Sequence, residues 1–229
     1  MNFANLKSLF RAYVPAANAQ ALTNTNLEII LNEGALDVAH RMQCLKNFAY
    51  FNAEASINKY SLSTKLSRYL GIEESGVWFL SDDEYIELYP KTMRELDNKD
   101  HSWRSDTGDS IDEYLIYGDY FMPVPYPETS LSNAFLIYYY ERPLTMVDAG
   151  DYPFHIVGVK TTERSDLAIL SDLILMYAET KVLKLLNKRQ DSAEKYNEYL
   201  ATIELMRPLI QARPDIVSHR DTKMQGPRA

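Results

Sequence analysis

One cysteine, Cys44, stands in 229 residues. With no second cysteine there is no intramolecular disulfide and no cysteine-built metal cluster, and synthesis in a reducing cytoplasm is expected. Eight glycines are few for this length. The chain holds no Walker loop, no Gly-x-Gly-x-x-Gly and no Gly-x-Ser-x-Gly, so nucleotide cradles and hydrolase elbows are not expected. The four histidines, His40, His101, His155 and His219, are scattered without zinc-ligand spacing. Long apolar runs are missing too. The longest, Leu167 to Ala178, is broken by Ser171 and Asp172, is too short to span a bilayer and is expected to form a buried helix. The first twenty residues have no apolar core of the signal-peptide kind.

Positive charge is the other scarcity. The formal net charge is −8, and it is unevenly spread. From Glu73 to Glu128 there are 15 acidic and 4 basic residues, a net of −11, whereas Arg207 to Ala229 carries 5 Lys/Arg against 2 Asp, a net of +3. So acidic a middle lacks the clustered cations that replace counterions on a nucleic acid. What the chain has in abundance is tyrosine, 17 residues, and an overall hydrophobic content of 46%, enough for a substantial core.

Leu27, Ile30, Leu31, Gly34, Val38, Met42 and Leu45 fall on one helical stripe, with Thr25 and Glu28 at capping-box spacing. They predict a helix over about 25–48, preceded by a short one over Asn5 to Tyr13. From about 54 to 148 the pattern changes to strands: Ile57 to Leu62, Val77 to Leu80, Tyr85 to Tyr89, Tyr114 to Tyr117 and Phe135 to Tyr140. Thr92 to Asn98 suggests one or two helical turns inside this region. Helical spacing returns at Leu167, Leu170, Ile174, Ala178, Val182 and Leu185. It returns again at Tyr196, Leu200, Ile203, Met206 and Ile210, after a break over Asn187 to Asp191 and before a stop at Arg213–Pro214. The predicted class is α+β: an antiparallel helical bundle, made of the N-terminal helix and two C-terminal helices, with an inserted β-rich region and an extended tail. The segments are 1–53, 54–148, 149–212 and 213–229.

Candidate chemistry is thin. Asp106-Thr107-Gly108 matches the short motif of aspartic proteases, but the second aspartate would have to come from another copy and the flanks lack an apolar strand. A polar turn is the better reading. Asp106, Asp109, Asp112 and Glu113 fit no calcium-loop spacing and read as a solvated acidic loop. Cys44 reads as packing. No enzymatic activity and no cofactor or metal are expected. The strand at Phe135–Tyr140 says more. Phe135, Ile137 and Tyr139 face one way and Leu136, Tyr138 and Tyr140 the other, and neither face is polar. Both faces are therefore expected to be covered, either by a second sheet or by a neighbouring subunit.

The order of these features resembles the head-to-tail adaptor (connector) proteins of tailed bacteriophages. The likeness runs over about residues 5 to 215. It uses Asn26 to Asn32 with Ala35 and Arg41, then Tyr60-Ser61-Leu62, Glu95-Leu96-Asp97, Trp103 and Gly108. It continues through Tyr114, Pro125 to Pro127 and Tyr138-Tyr139-Tyr140-Glu141-Arg142-Pro143-Leu144 to the C-terminal helix pair and tail. Ser63 stands where such adaptors have proline. The resemblance implies a structural virion protein, assembled in the host cytoplasm as a homo-oligomeric, dodecameric ring beneath the portal. The helices would form the ring body. The tail, through Arg213, Ile216, Val217, Arg220, Lys223 and Arg228, would dock on the portal protein. Tyr138, Tyr139 and Tyr140 would meet a neighbouring subunit or a tail tube or nozzle protein. DNA would pass the acidic channel without specific binding, and no membrane is involved. The alternative is a soluble, non-enzymatic module that binds a ligand or peptide with its tyrosine-rich sheet.

Overall fold

The computed structural model describes residues 1–14, 22–156 and 159–211. In chain order the elements are α1 (Phe3–Tyr13), α2 (Asn24–Met42), β1 (Lys46–Ala53), β2 (Tyr60–Ser61) and α3 (Leu62–Lys65). Next come β3 (Tyr69–Ser81), β4 (Glu84–Glu87), β5 (Tyr89–Pro90), α4 (Met93–Lys99), β6 (Glu113–Tyr117), β7 (Tyr120–Val124) and β8 (Leu131–Glu141). A short hairpin, β9 (His155–Ile156) and β10 (Val159–Glu163), and a 3-10 turn over Ser165–Leu170 lead into α5 (Ser171–Leu185) and α6 (Arg189–Gln211). The chain is mixed α+β and divides into two compact units, the described residues of 1–45 with 142–211 and residues 46–141.

The first unit is built on α2, α5 and α6. The predicted stripe of α2 is buried, from Leu27 through Ile30, Leu31, Gly34 and Val38 to Met42. Gly34 is there for contact: a Cβ on it would sit 3.1 Å from the Tyr177 ring and 3.2 Å from Ile174, so a larger residue would push α5 away. The cap of α2 is Thr23, whose side chain accepts from the Asn26 N–H at 3.1 Å. The Thr25–Glu28 box does not form, and Glu28 instead receives the Lys7 ammonium at 2.8 Å. The helix stops at Met42 because Gln43 turns left-handed at φ 51°. It does not run to 48, and Lys46–Ala53 is a strand of the second unit. On α6 the buried residues are Tyr199, Ile203 and Ile210. Tyr196, placed on the core stripe by spacing, is 37% exposed. The register is set by Tyr199, whose hydroxyl donates to Asp37 Oδ2 of α2 at 2.6 Å, while Arg41 Nε reaches the same oxygen at 2.7 Å.

The second unit holds two four-stranded sheets, ordered β1-β8-β3-β4 and β2-β7-β6-β5. β8 is the central ladder of the first sheet and pairs antiparallel with both β1 and β3. The two sheets share one core, in which Phe51, Phe79, Phe135, Ile137 and Tyr139 of the first meet Tyr60, Tyr114 and Phe121 of the second. The rings of Phe121 and Phe135 lie edge to face with centroids 5.1 Å apart. The strand β7 was hidden in sequence by its proline. Pro123 is tolerated because β2 pairs with β7 only at Tyr120 and Phe121, which leaves the Pro123 edge unpaired.

Candidate interaction surface

The two sheets are not covered alike. The outer face of β2-β7-β6-β5 is closed by α4 and the loop after it, through a cluster of Leu96, Trp103, Leu115 and Val124. A capping box at Thr92 and Glu95 starts α4, and Asp97 accepts the Trp103 indole N–H at 2.8 Å, which pins the loop to the helix. On the outer face of β1-β8-β3-β4 Leu136 and Tyr85 are buried and Trp78 is half-buried, while Phe48 and Tyr50 of β1 stay exposed. Register puts Phe48 opposite Tyr138, Tyr50 opposite Leu136, and Trp78 between Leu136 and Glu87. These side chains share one side. Phe48 is 48% exposed and Tyr50 43%. Their rings touch at right angles 5.8 Å apart, Phe48 lies 6.0 Å from Tyr138, and Tyr50 lies 5.9 Å from Tyr85.

The three consecutive tyrosines therefore divide. Tyr139 points inward, is 2% exposed and joins the core between the sheets. Its hydroxyl donates to Glu141 Oε1 at 3.4 Å, and that buried carboxylate also takes Asn47 Nδ2 at 2.6 Å and the Arg68 guanidinium. Burial, then the charge of Glu141, pushes the Tyr139 phenol up to about 12. Tyr138 and Tyr140 lie half-buried on the open side. Burial, then Glu73 and Glu74, pushes Tyr140 up to about 12, and Tyr138 is raised by burial, Tyr50 and Glu73. Glu73, held by Lys46 at 2.8 Å, and Glu74 thus stand beside the aromatic patch, and Glu87 is opposite Trp78 in register and also raises the Tyr114 phenol. An unpolar face of the sequence became one inner face and one open, carboxylate-bordered aromatic face. Phe48 and Tyr50 are not found as partners of the tyrosines from sequence, because the helical spacing runs to about 48 and residues 1–53 are assigned to the helical part. Their alternation with Asn47, Ala49 and Phe51 is the signal that was present.

The acidic loop is structural. Thr107 forms a parallel bridge with Tyr126, closed by Gly108 N–H to Tyr126 O at 2.8 Å. Gly108 packs closely on Pro125, where a Cβ would come within 3.3 Å of the ring. Asp106 accepts from Ser102 Oγ at 3.1 Å, Asp109 accepts the Thr129 N–H and hydroxyl, and Glu113 pairs with Lys99 at 3.0 Å. A surface cleft of about 600 Å³ beside it is lined by Lys99, Trp103, Asp106, Asp112 and Glu113, among others. Among the described residues no group of His, Cys, Asp and Glu is arranged to hold a metal ion. Cys44 is buried. No described helix is long and apolar enough to cross a membrane. Arg213, Ile216, Val217, Arg220, Lys223 and Arg228 lie outside the described residues.

Residues 1–220 match the family model described as SU10 adaptor protein. No curated protein matches the chain.

Proposed function

This chain belongs to the SU10 adaptor protein family, a structural, non-enzymatic family of phage adaptors, and on that premise we propose that it is the head-to-tail adaptor of a tailed-phage virion. Copies of the chain form a dodecameric ring between the portal protein and the tail tube or nozzle. The helices of the first unit, as an antiparallel bundle, make the body of the ring. The segment after α6 docks on the portal, with Ile216 and Val217 as its apolar anchor and Arg213, Arg220, Lys223 and Arg228 meeting carboxylates or carbonyls there. Each copy docks weakly, since ordering a tail costs about 1–2 kcal/mol per residue. A closed ring multiplies that contact into a firm attachment. Tyr138 and Tyr140 belong to a contact with a neighbouring subunit or a tail protein. DNA traverses the channel unbound, held off by uncompensated carboxylates. Assembly takes place in the host cytoplasm and the product is a virion component.

The family match over residues 1–220 carries this reading. The open aromatic sheet face supports it, because a patch of that kind marks a surface meant to be covered. The test is to delete the residues after Arg213 and image particles. Each subunit is expected to stay folded, since the last helix is intact, while portal attachment is lost and DNA-filled heads leak or lack tails. Heads joined to tails at normal yield would overturn portal docking. A wild-type chain that stays monomeric with its portal present would favour the ligand-binding module instead.

A further inference from the structure

A ring of identical subunits is held by a heterologous contact, in which two different patches on each copy must fit each other. The open sheet face is one such patch, with Phe48, Tyr50 and Tyr138 at its centre and carboxylates at its borders. Neither Glu74 nor Glu87 forms an ion pair with another described residue, and Glu74 is exposed. The complementary chemistry is an apolar point flanked by cations. The first unit offers it at the turn between α5 and α6. Residues 181–189 carry four basic side chains and no acidic one, in a chain whose net charge is −8. Lys181 is paired with Glu33 at 3.6 Å. Lys184, Lys188 and Arg189 are exposed and make no ion pair to another described residue. Between them Leu185 is 62% exposed, although it closes a helix whose neighbours Leu183 and Val182 are buried. The turn is set by Asn187, left-handed at φ 58°, so the knob is held by the backbone and not by a flexible loop.

We propose that the basic α5–α6 turn of one copy, with Leu185 at its tip, seats on the aromatic, carboxylate-bordered sheet face of the next copy. Leu185 fills the space over Phe48 and Tyr50. Lys184, Lys188 and Arg189 reach Glu74 and Glu87 and lie over the tyrosine rings, where a cation gains both from the carboxylate and from the ring face. Opposite patches of opposite sign also bar the patch from pairing with itself, which favours a ring over an isologous dimer.

The inference rests on the ring proposed above, and particles separate the two. Virions assembled with the full-length Tyr50→Cys/Leu185→Cys variant are treated with a short bismaleimide. Cys44 is buried and does not compete. A ladder of cross-linked chains, absent from either single variant, is expected. Particles with intact rings and no ladder, while both cysteines react with a monofunctional maleimide, would refute this contact and leave the ring reading standing. Wild-type particles without rings would refute both. A charge exchange covers the case in which the cysteine pair disturbs folding. Lys184→Glu with Lys188→Glu is expected to lower adaptor incorporation at least about tenfold, since like charges then face each other. Adding Glu74→Lys and Glu87→Lys is expected to restore it. A loss that the second pair does not rescue, in chains with unaltered unfolding midpoints, counts against the pairing.

Discussion

At the scale of single residues, Tyr199 shows how one polar atom sets a helix register. Its ring is fully buried, and its hydroxyl spends its hydrogen bond on Asp37, a carboxylate that also holds Arg41. Hydrogen bonds to charged groups contribute about 1.5–3 kcal/mol. Tyr199→Phe keeps the ring and removes the donor, so it is expected to cost about 1–2 kcal/mol in urea unfolding, more than Tyr196→Phe, whose ring is partly exposed. Equal costs for the two would contradict the assignment. Spacing alone chose Tyr196 over Tyr199 because both fit an apolar stripe; the Asp37 partner that decides between them is 162 positions away. Three other phenols predict an alkaline limit. Tyr114, Tyr139 and Tyr140 are each pushed up to about 12, first by burial. An unfolded tyrosine titrates near about 10. Between those values the unfolded chain gives up phenolic protons that the folded chain keeps. Stability is therefore whole below about pH 10 and falls as pH rises toward 12. Urea midpoints at pH 8 and pH 11 test it, and an unchanged midpoint at pH 11 would contradict the burial of these hydroxyls.

At the scale of elements, β8 was legible and its neighbour β1 was not. Phe135 to Tyr140 announced a strand by its β-formers, and β3, β4 and β6 were visible in the same way. Lys46–Ala53 was masked by Leu45, which extends the helical stripe of α2 by spacing although Gln43 has already ended the helix. That the sheet region is a sandwich was one of two options the residues allowed. They did not say which face of β8 the second sheet takes, because alternation of apolar with apolar carries no direction. The two faces now predict different outcomes. Phe135→Ala empties the shared core and is expected to cost about 3–5 kcal/mol, whereas Tyr138→Ala on the open side is expected to cost under about 1.5 kcal/mol while reducing assembly. Similar unfolding midpoints for the two variants would place β8 differently. The bulge that carries Glu73 and Glu74 depends on Gly76. A Cβ there would lie 2.8 Å from the Tyr138 carbonyl oxygen and 2.7 Å from that of Glu73, so Gly76→Ala is expected to destabilise by about 1–3 kcal/mol. Wild-type stability in that variant would show that the backbone yields.

At the scale of the whole molecule, charge distribution decides what the chain does near DNA. The net of −8 is concentrated in the second unit, where Glu73 to Glu128 carries −11, and many of the chain's cations are committed to partners: Lys7 to Glu28, Lys46 to Glu73, Lys99 to Glu113 and Lys195 to Glu198. In sequence, basic residues concentrate at the α5–α6 turn and after Arg207. Duplex binding needs several phosphates neutralised at once, and each contact steepens the fall of affinity with salt. A turn with three cations unpaired among the described residues, in a chain of net charge −8, meets that requirement poorly. The isolated chain is expected to give no gel shift with duplex DNA at micromolar protein and about 150 mM salt, where the screening length is still about 8 Å. If instead a salt-sensitive micromolar shift appeared, comparison of the chain with and without the residues after Arg213 would locate it. Loss on truncation would make the tail a DNA arm and remove it from portal docking. Retention would point to Lys184, Lys188 and Arg189, and those cations would then be engaged by phosphates where the ring contact requires them on Glu74 and Glu87.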